Sequence, residues 1–147
     1  MDMPIFSKDI IIENRTFRVK KFNAMTGCYI TFKIAGLLAN SFKNMDKNFK
    51  MKDLNLNYTQ LFSSIFSLSK EDFEYIQKSC LQVSYEVLPA GETQVLGDNG
   101  EFETSKKDED KCNTALIMNL TIQSLLFNLE SFFEGSSLSS LLGNVNL

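Results

Sequence analysis

The sequence predicts an α+β fold: a mainly helical single domain with an N-terminal β-hairpin and a few short additional strands. Three observations predict it. Apolar residues alternate with polar ones over residues 10–20 and again over 82–104, whereas several longer stretches place them at helical spacing. The chain has 147 residues, of which 44% are hydrophobic and 22% charged, an ordinary globular composition. A chain of that length buries roughly two thirds of its unfolded surface, enough for one core. Thirteen Phe supply bulk where Trp is absent. Residues 1–134 make the predicted domain and 135–147 a flexible C-terminal tail.

The first element is the hairpin KDIIIENRTFRVKKF. Ile10 and Ile12 share one face, a polar turn lies near Glu13-Asn14-Arg15, and Phe17 and Val19 alternate with Arg18 and Lys20. One face is greasy and the other basic. Next, NAMTGCYITFKIAGLLANSF is a helix with two apolar stripes. Met25, Cys28, Tyr29, Phe32, Ala35, Gly36 and Ala39 form one; Ile30, Ile34, Leu37 and Leu38 form the other. A helix apolar nearly all round belongs in a core or against a neighbouring subunit. Gly27 and Gly36 each cost it about 1 kcal/mol of helix propensity, which implies close packing or a start after Gly27. Residues 40–57, rich in Lys and Asn, read as a solvated loop.

Tyr58, Leu61, Phe62, Ile65 and Phe66 mark a short helix. Ser69 followed by Asp72, with Leu68 and Phe73 as a hydrophobic staple, then starts a second helix at Lys70 whose apolar stripe is Phe73, Ile76, Cys80 and Leu81. From residue 82 the period becomes two: Val83, Tyr85 and Val87 alternate with Gln82, Ser84 and Glu86. Pro89-Ala90-Gly91 turns the chain, Asn99-Gly100 signals a second turn, and SKKDEDK at 105–111 reads as an exposed charged linker. The last helix, TALIMNLTIQSLLFNLESFFEG, carries no charge before Glu130. It is expected to pack on the first helix, with its Phe-rich end offered to a partner. The tail SSLSSLLGNVNL is expected to order only on binding.

Residues 112–129 are uncharged over nearly a membrane span, but seven of the eighteen are Asn, Thr, Gln or Ser, which is costly in lipid. No membrane partner is expected. MDMPIFSKDIII lacks the basic and long apolar regions of a signal peptide, so the product is expected in the cytoplasm. Cys28, Cys80 and Cys112 are widely spaced and indicate neither a disulfide framework nor a zinc site. There is no histidine, which removes the commonest general base and metal ligand. No GxxxxGK[ST] or GxGxxG occurs. The reading is therefore of a binding protein, not an enzyme, with no cofactor, no metal and no nucleic acid. Residues 1–52 hold ten Lys/Arg against four Asp/Glu, and residues 53–147 five against fourteen. Either distant surfaces of one domain differ in sign, or opposite faces meet between copies.

Three stretches carry a family resemblance. ENRTFRVKKFNAMTGCYITFKIAGLLA runs from a hairpin through "F-x-A-x-T-G" into an apolar helix; LFSSIFSLSKEDFEYIQKSCLQVSYEV holds a capped "L-S-x-E-D-F" helix and a Cys-Leu step into a strand; NTALIMNLTIQSLLFNLESFF ends on "F-N-L-x-x-F-F". In this order, over about residues 10–134, they resemble the bacteriophage tail assembly chaperones, a group that includes the lambdoid examples. The resemblance implies a protein that binds the tape measure protein, keeps it soluble, helps recruit tail tube subunits, self-associates, and is absent from the mature virion. The alternative is a structural tail protein, a completion or tube-associated subunit retained in the particle, although a tube subunit should be dominated by long strands. The family pattern carries no site motif. On physical grounds Phe127, Leu129, Phe132 and Phe133, at the apolar end of the last helix, are the expected partner-binding residues.

Overall fold

A computed structural model describes residues 6–41, 63 and 65–134, the side chains of 38–41 and 131–134 excepted. Most of the predicted loop 40–57, the start of the short helix from Tyr58, and the tail 135–147 lie outside them; residues 63, 65 and 66 are helical. Strands β1 (Ser7–Ile12) and β2 (Arg15–Lys20) form the predicted antiparallel hairpin. Glu13 and Asn14 sit at φ 54° and 62°, the left-handed pair that a two-residue hairpin turn requires. Asn tolerates that conformation well and Glu less so.

The predicted later strands are not a separate unit. β3 (Ser84–Leu88) pairs antiparallel with β2, and β4 (Gly91–Gln94) pairs with β3, giving one four-stranded sheet in the order β1-β2-β3-β4. The fold is mixed α+β, and "mainly helical" describes it only roughly. Asn99-Gly100 does turn the chain: Gly100 takes φ 84°, and Leu96 bridges Phe102.

The helices are α1 (Ala24–Ser41), α2 (Lys70–Gln82), α3 (Lys107–Asp110) and α4 (Thr114–Glu134). α2 starts where its cap predicts, with the Asp72 backbone N–H donating to Ser69 Oγ at 3.1 Å. Asn113 caps α4 in the same way, accepting from the Leu116 N–H at 3.1 Å. α1 begins at Ala24, ahead of Gly27, because Asn23 Oδ1 accepts from the Thr26 N–H at 2.9 Å. Neither glycine marks a close approach: a Cβ on Gly36 would meet nothing within 4 Å, and one on Gly27 would make ordinary contact with Phe22.

α4 is the central element. Leu116 and Leu120 pack with Phe17 of β2 and with Val95 and Leu96 after β4. Ile122, Leu125, Leu126 and Leu129 pack with Ile30 and Ile34 of α1 and with Ile76 and Cys80 of α2. Two of its buried polar side chains, Thr121 and Asn128, fit this burial because they are bonded locally. Thr121 Oγ1 donates to the Ile117 carbonyl at 2.8 Å. Asn128 accepts from the Phe22 N–H at 2.9 Å and donates to the carbonyls of Ser124 and Lys20 at 2.9 and 3.2 Å.

The sheet decides one point that alternation leaves open, and one expectation is corrected. In β3 the period of two holds, but Ser84 and Glu86 face inward while Tyr85 and Val87 stay half-buried, because the register sets Glu86 opposite Phe17 and Ser84 opposite Val19. The stretch 105–111 is not a free linker, since it contains α3 and its Asp110 is buried. Arg15 explains both. Its guanidinium grips Asp110 with two bonds of 2.8 and 2.9 Å and donates to Glu86 Oε2 at 3.0 Å. The Ser105 backbone and hydroxyl donate to Glu86, and the Thr104 hydroxyl donates to Asp110.

Candidate partner-binding site

The two stripes of α1 part company. Ile30 and Ile34 enter the core, whereas Met25 (84% exposed), Cys28, Tyr29 (46%) and Phe32 (65%) face outward. Tyr29 meets Tyr75 of α2 edge-on, with ring centroids 5.1 Å apart, so the outward apolar face runs across two helices. Lys33 and Asp72 pair at 2.8 Å beside it. The bond from Lys33 holds the Asp72 carboxyl below its usual range, which fixes a charge at the edge of the aromatic pair.

A second surface is concave. Phe73 and Leu81 of α2, Leu96 and Phe102 of the turn segment, and Ile117 and Met118 of α4 floor an open groove of about 630 Å³. It lies on the seam between the two core clusters, and several of its side chains are half-buried. Glu74, Lys78 and Lys111 stand on its rim.

The four residues expected at the end of α4 separate. Leu129 is wholly buried in the cluster with α1 and α2. Phe127 is also buried; Lys21 Nζ lies 4.2 Å from its ring centroid and donates to its carbonyl at 3.2 Å. Their area is thus already spent on the core of the folded chain. The side chains of Phe132 and Phe133, in the last turn of α4, lie outside the described residues. The outward face of α1 was visible in the sequence only as one of two stripes, with nothing to say which would be buried.

Four of the cations of the basic first third, all among the described residues, pair with acids from the remainder. Arg15 pairs with Glu86 and Asp110, Arg18 and Lys20 with Glu92, and Lys33 with Asp72. The basic face of the hairpin is therefore an ion ladder, in which Arg18 also bonds Asp9 and Lys20 lies over the Tyr85 ring. Among these residues the charge halves of the sequence interlock within one molecule. Cys80 is fully buried, and desolvation pushes its thiol up to about 12 despite the Ser124 hydroxyl beside it. No group of His, Cys, Asp and Glu among the described residues could hold a metal ion, and no described helix is long and apolar enough to cross a membrane.

An exposed aromatic face, an apolar groove and the paired charges of Arg15, Arg18, Lys20 and Lys33 are the features of a protein-binding module. The chain belongs to the phage tail assembly chaperone family: the family model described as phage tail assembly chaperone protein, TAC, matches residues 13–140. No curated protein and no solved structure matches the chain.

Proposed function

We propose that this chaperone binds the tape measure protein in the cytoplasm of the host cell, keeps it soluble, and helps recruit tail tube subunits. The observation that carries the reading is the outward apolar face of α1 and α2 in a member of this family. Met25, Tyr29 and Tyr75 stand in water at a cost that reversible cover by a helical client would remove. The client needs the same cover, since its own apolar stripes aggregate when unpartnered. Phe132 and Phe133, in the last turn of α4, are the further residues proposed to contact the client.

Co-expression with the tape measure protein of the same phage tests this. The wild-type chain should raise the soluble fraction of the client and co-purify with it. Met25→Asp/Tyr29→Asp and Phe132→Asp/Phe133→Asp should fold, as shown by an unchanged far-ultraviolet spectrum, and lose rescue. An insoluble client with wild-type chaperone, together with the chain found in purified particles, would replace this reading with that of a retained tail subunit.

A further inference from the structure

The two edges of the sheet are unlike. β4 is four residues long, and the chain folds back along it: the Thr93 hydroxyl donates to the Glu103 carbonyl at 2.9 Å, and the Glu103 N–H to the Val95 carbonyl at 3.1 Å. β1, the other edge, is six residues long and among the described residues pairs with β2 alone.

Two bonds establish which backbone groups β1 leaves free. The Lys20 N–H donates to the Val83 carbonyl at 2.9 Å and the Lys21 N–H to the Phe6 carbonyl at 3.0 Å. Successive residues of an antiparallel strand direct their backbone groups to opposite neighbours. Arg15, Phe17 and Val19 therefore face β1, where their register partners Ile12, Ile10 and Lys8 bond back. Ser7, Asp9 and Ile11 point their N–H and C=O groups outward, along the edge. No proline or glycine interrupts the strand, and Ile10-Ile11-Ile12 favours extension. Such an edge is a template for a further strand.

The side chains select which strand fits. On the outer face of the sheet the charges alternate in sign from strand to strand, Asp9 to Arg18 at 2.7 Å and Arg18 to Glu92 at 3.0 Å. The row ends at the edge on the half-exposed Asp9 carboxylate, so an added strand continues the alternation by placing Lys or Arg opposite it. Ile11, 77% exposed on the same face, calls for an apolar neighbour. Ile10 and Ile12 on the inner face are only partly buried against the core, and apolar residues opposite them complete their cover. We propose that β1 binds an extended strand of the tail tube subunit by sheet extension, with a cation of that strand opposite Asp9 and apolar residues opposite Ile10, Ile11 and Ile12. The pairing rests on the recruitment of tube subunits proposed above. A tube subunit dominated by long strands has edges of its own to cover until it joins the tube, and one pairing caps both. A second copy of β1 is the poorer match, because paired antiparallel it sets only Ser7, Asp9 or Ile11 against Asp9.

Calorimetric titration with the purified tube protein of the same phage, together with amide exchange followed by NMR, tests the pairing. Ile11→Pro removes one N–H from the edge and leaves the bonds to β2 in place. Asp9→Lys gives up an exposed ion pair of small worth and sets like charges against each other. Both variants should keep the wild-type far-ultraviolet spectrum and still rescue the tape measure protein, yet bind tube protein weaker by about tenfold or more. In the wild type alone the amides of Ser7, Asp9 and Ile11 should exchange quickly, and tube protein should slow them; those of Lys8, Ile10 and Ile12 should be slow throughout. Equal binding by wild type and both variants would overturn the assignment of the edge and leave recruitment standing, whereas a wild type that binds no tube protein would overturn both. Edge amides already slow in the chain alone would also overturn it. Slowing that is independent of concentration would give the edge to another part of the same chain, and slowing that grows with concentration would give it to a second copy.

Discussion

Asn128 and Ser124 lie one turn apart on the same buried helix and illustrate two kinds of polar residue in a core. Asn128 holds the chain where β2 runs into α1: it accepts from the Phe22 N–H and donates to the Lys20 carbonyl. Removing its amide strands backbone groups that the fold has already taken out of water, so Asn128→Ala is expected to cost about 2–3 kcal/mol. The Ser124 hydroxyl is the one buried side-chain polar atom without a geometric hydrogen bond among the described residues, and it lies beside the Cys80 thiol. Ser124→Ala is expected to be neutral or stabilising by up to about 1 kcal/mol. Urea unfolding of the two variants checks both, and equal losses would show that helix packing, not polar bonding, sets the cost.

At the scale of elements, what could be read in advance is what chain neighbours settle. The hairpin turn at Glu13-Asn14 and the α2 start at Ser69 depend on groups within four residues of each other, and both stand where the sequence places them. The inward face of β3 does not depend on neighbours. Alternation sets Ser84 and Glu86 apart from Tyr85 and Val87, but only pairing with β2 sends the polar pair inside. Asp110 is likewise indistinguishable from Asp108 and Glu109 by composition, and its partner Arg15 is 95 residues away. α1 shows both sides of this. Its existence was legible from spacing, whereas the choice between its stripes was made by α2 and α4, so the outward aromatic face had no separate signal. Its glycines were misread as packing devices. Since nothing would meet a Cβ at Gly36, Gly36→Ala is expected to stabilise the protein by about 0.5–1 kcal/mol through helix propensity. A thermal midpoint raised by a few degrees would confirm it, and a lowered one would reveal a packing role.

For the whole molecule, the contact that ties the elements together is the cluster of Arg15, Glu86 and Asp110, which joins the hairpin, β3 and α3 in one buried site with side chains 11%, 3% and 2% exposed. Burial by itself would push both carboxyls up; the Arg15 guanidinium, with the donors on Thr104 and Ser105, outweighs it and holds both below their ordinary 4.5 and 3.8. A carboxyl lowered in the folded state binds its proton more readily once unfolded. Its contribution to stability is therefore complete above its ordinary range and fades as pH falls through the depressed folded value. The wild type should keep its stability down to about pH 5 and lose it progressively below. The exposed pairs of Arg18 with Asp9 and of Lys33 with Asp72 give a similar but weaker trend that salt screens, so the comparison belongs in high salt, where the buried cluster still acts. Arg15→Gln removes the counter-charge and leaves burial in control. It should cost about 3–5 kcal/mol near neutral pH, as expected when one partner of a buried ion pair is deleted. The pH dependence should also change sign, with the variant gaining stability on acidification from pH 7 because its raised carboxyls take up protons more readily folded than unfolded. Urea unfolding of both chains between pH 4 and 8 reads the two slopes. Parallel slopes would mean that Glu86 and Asp110 reach water without Arg15, and that the cluster is a surface feature and not the tie between sheet and helices.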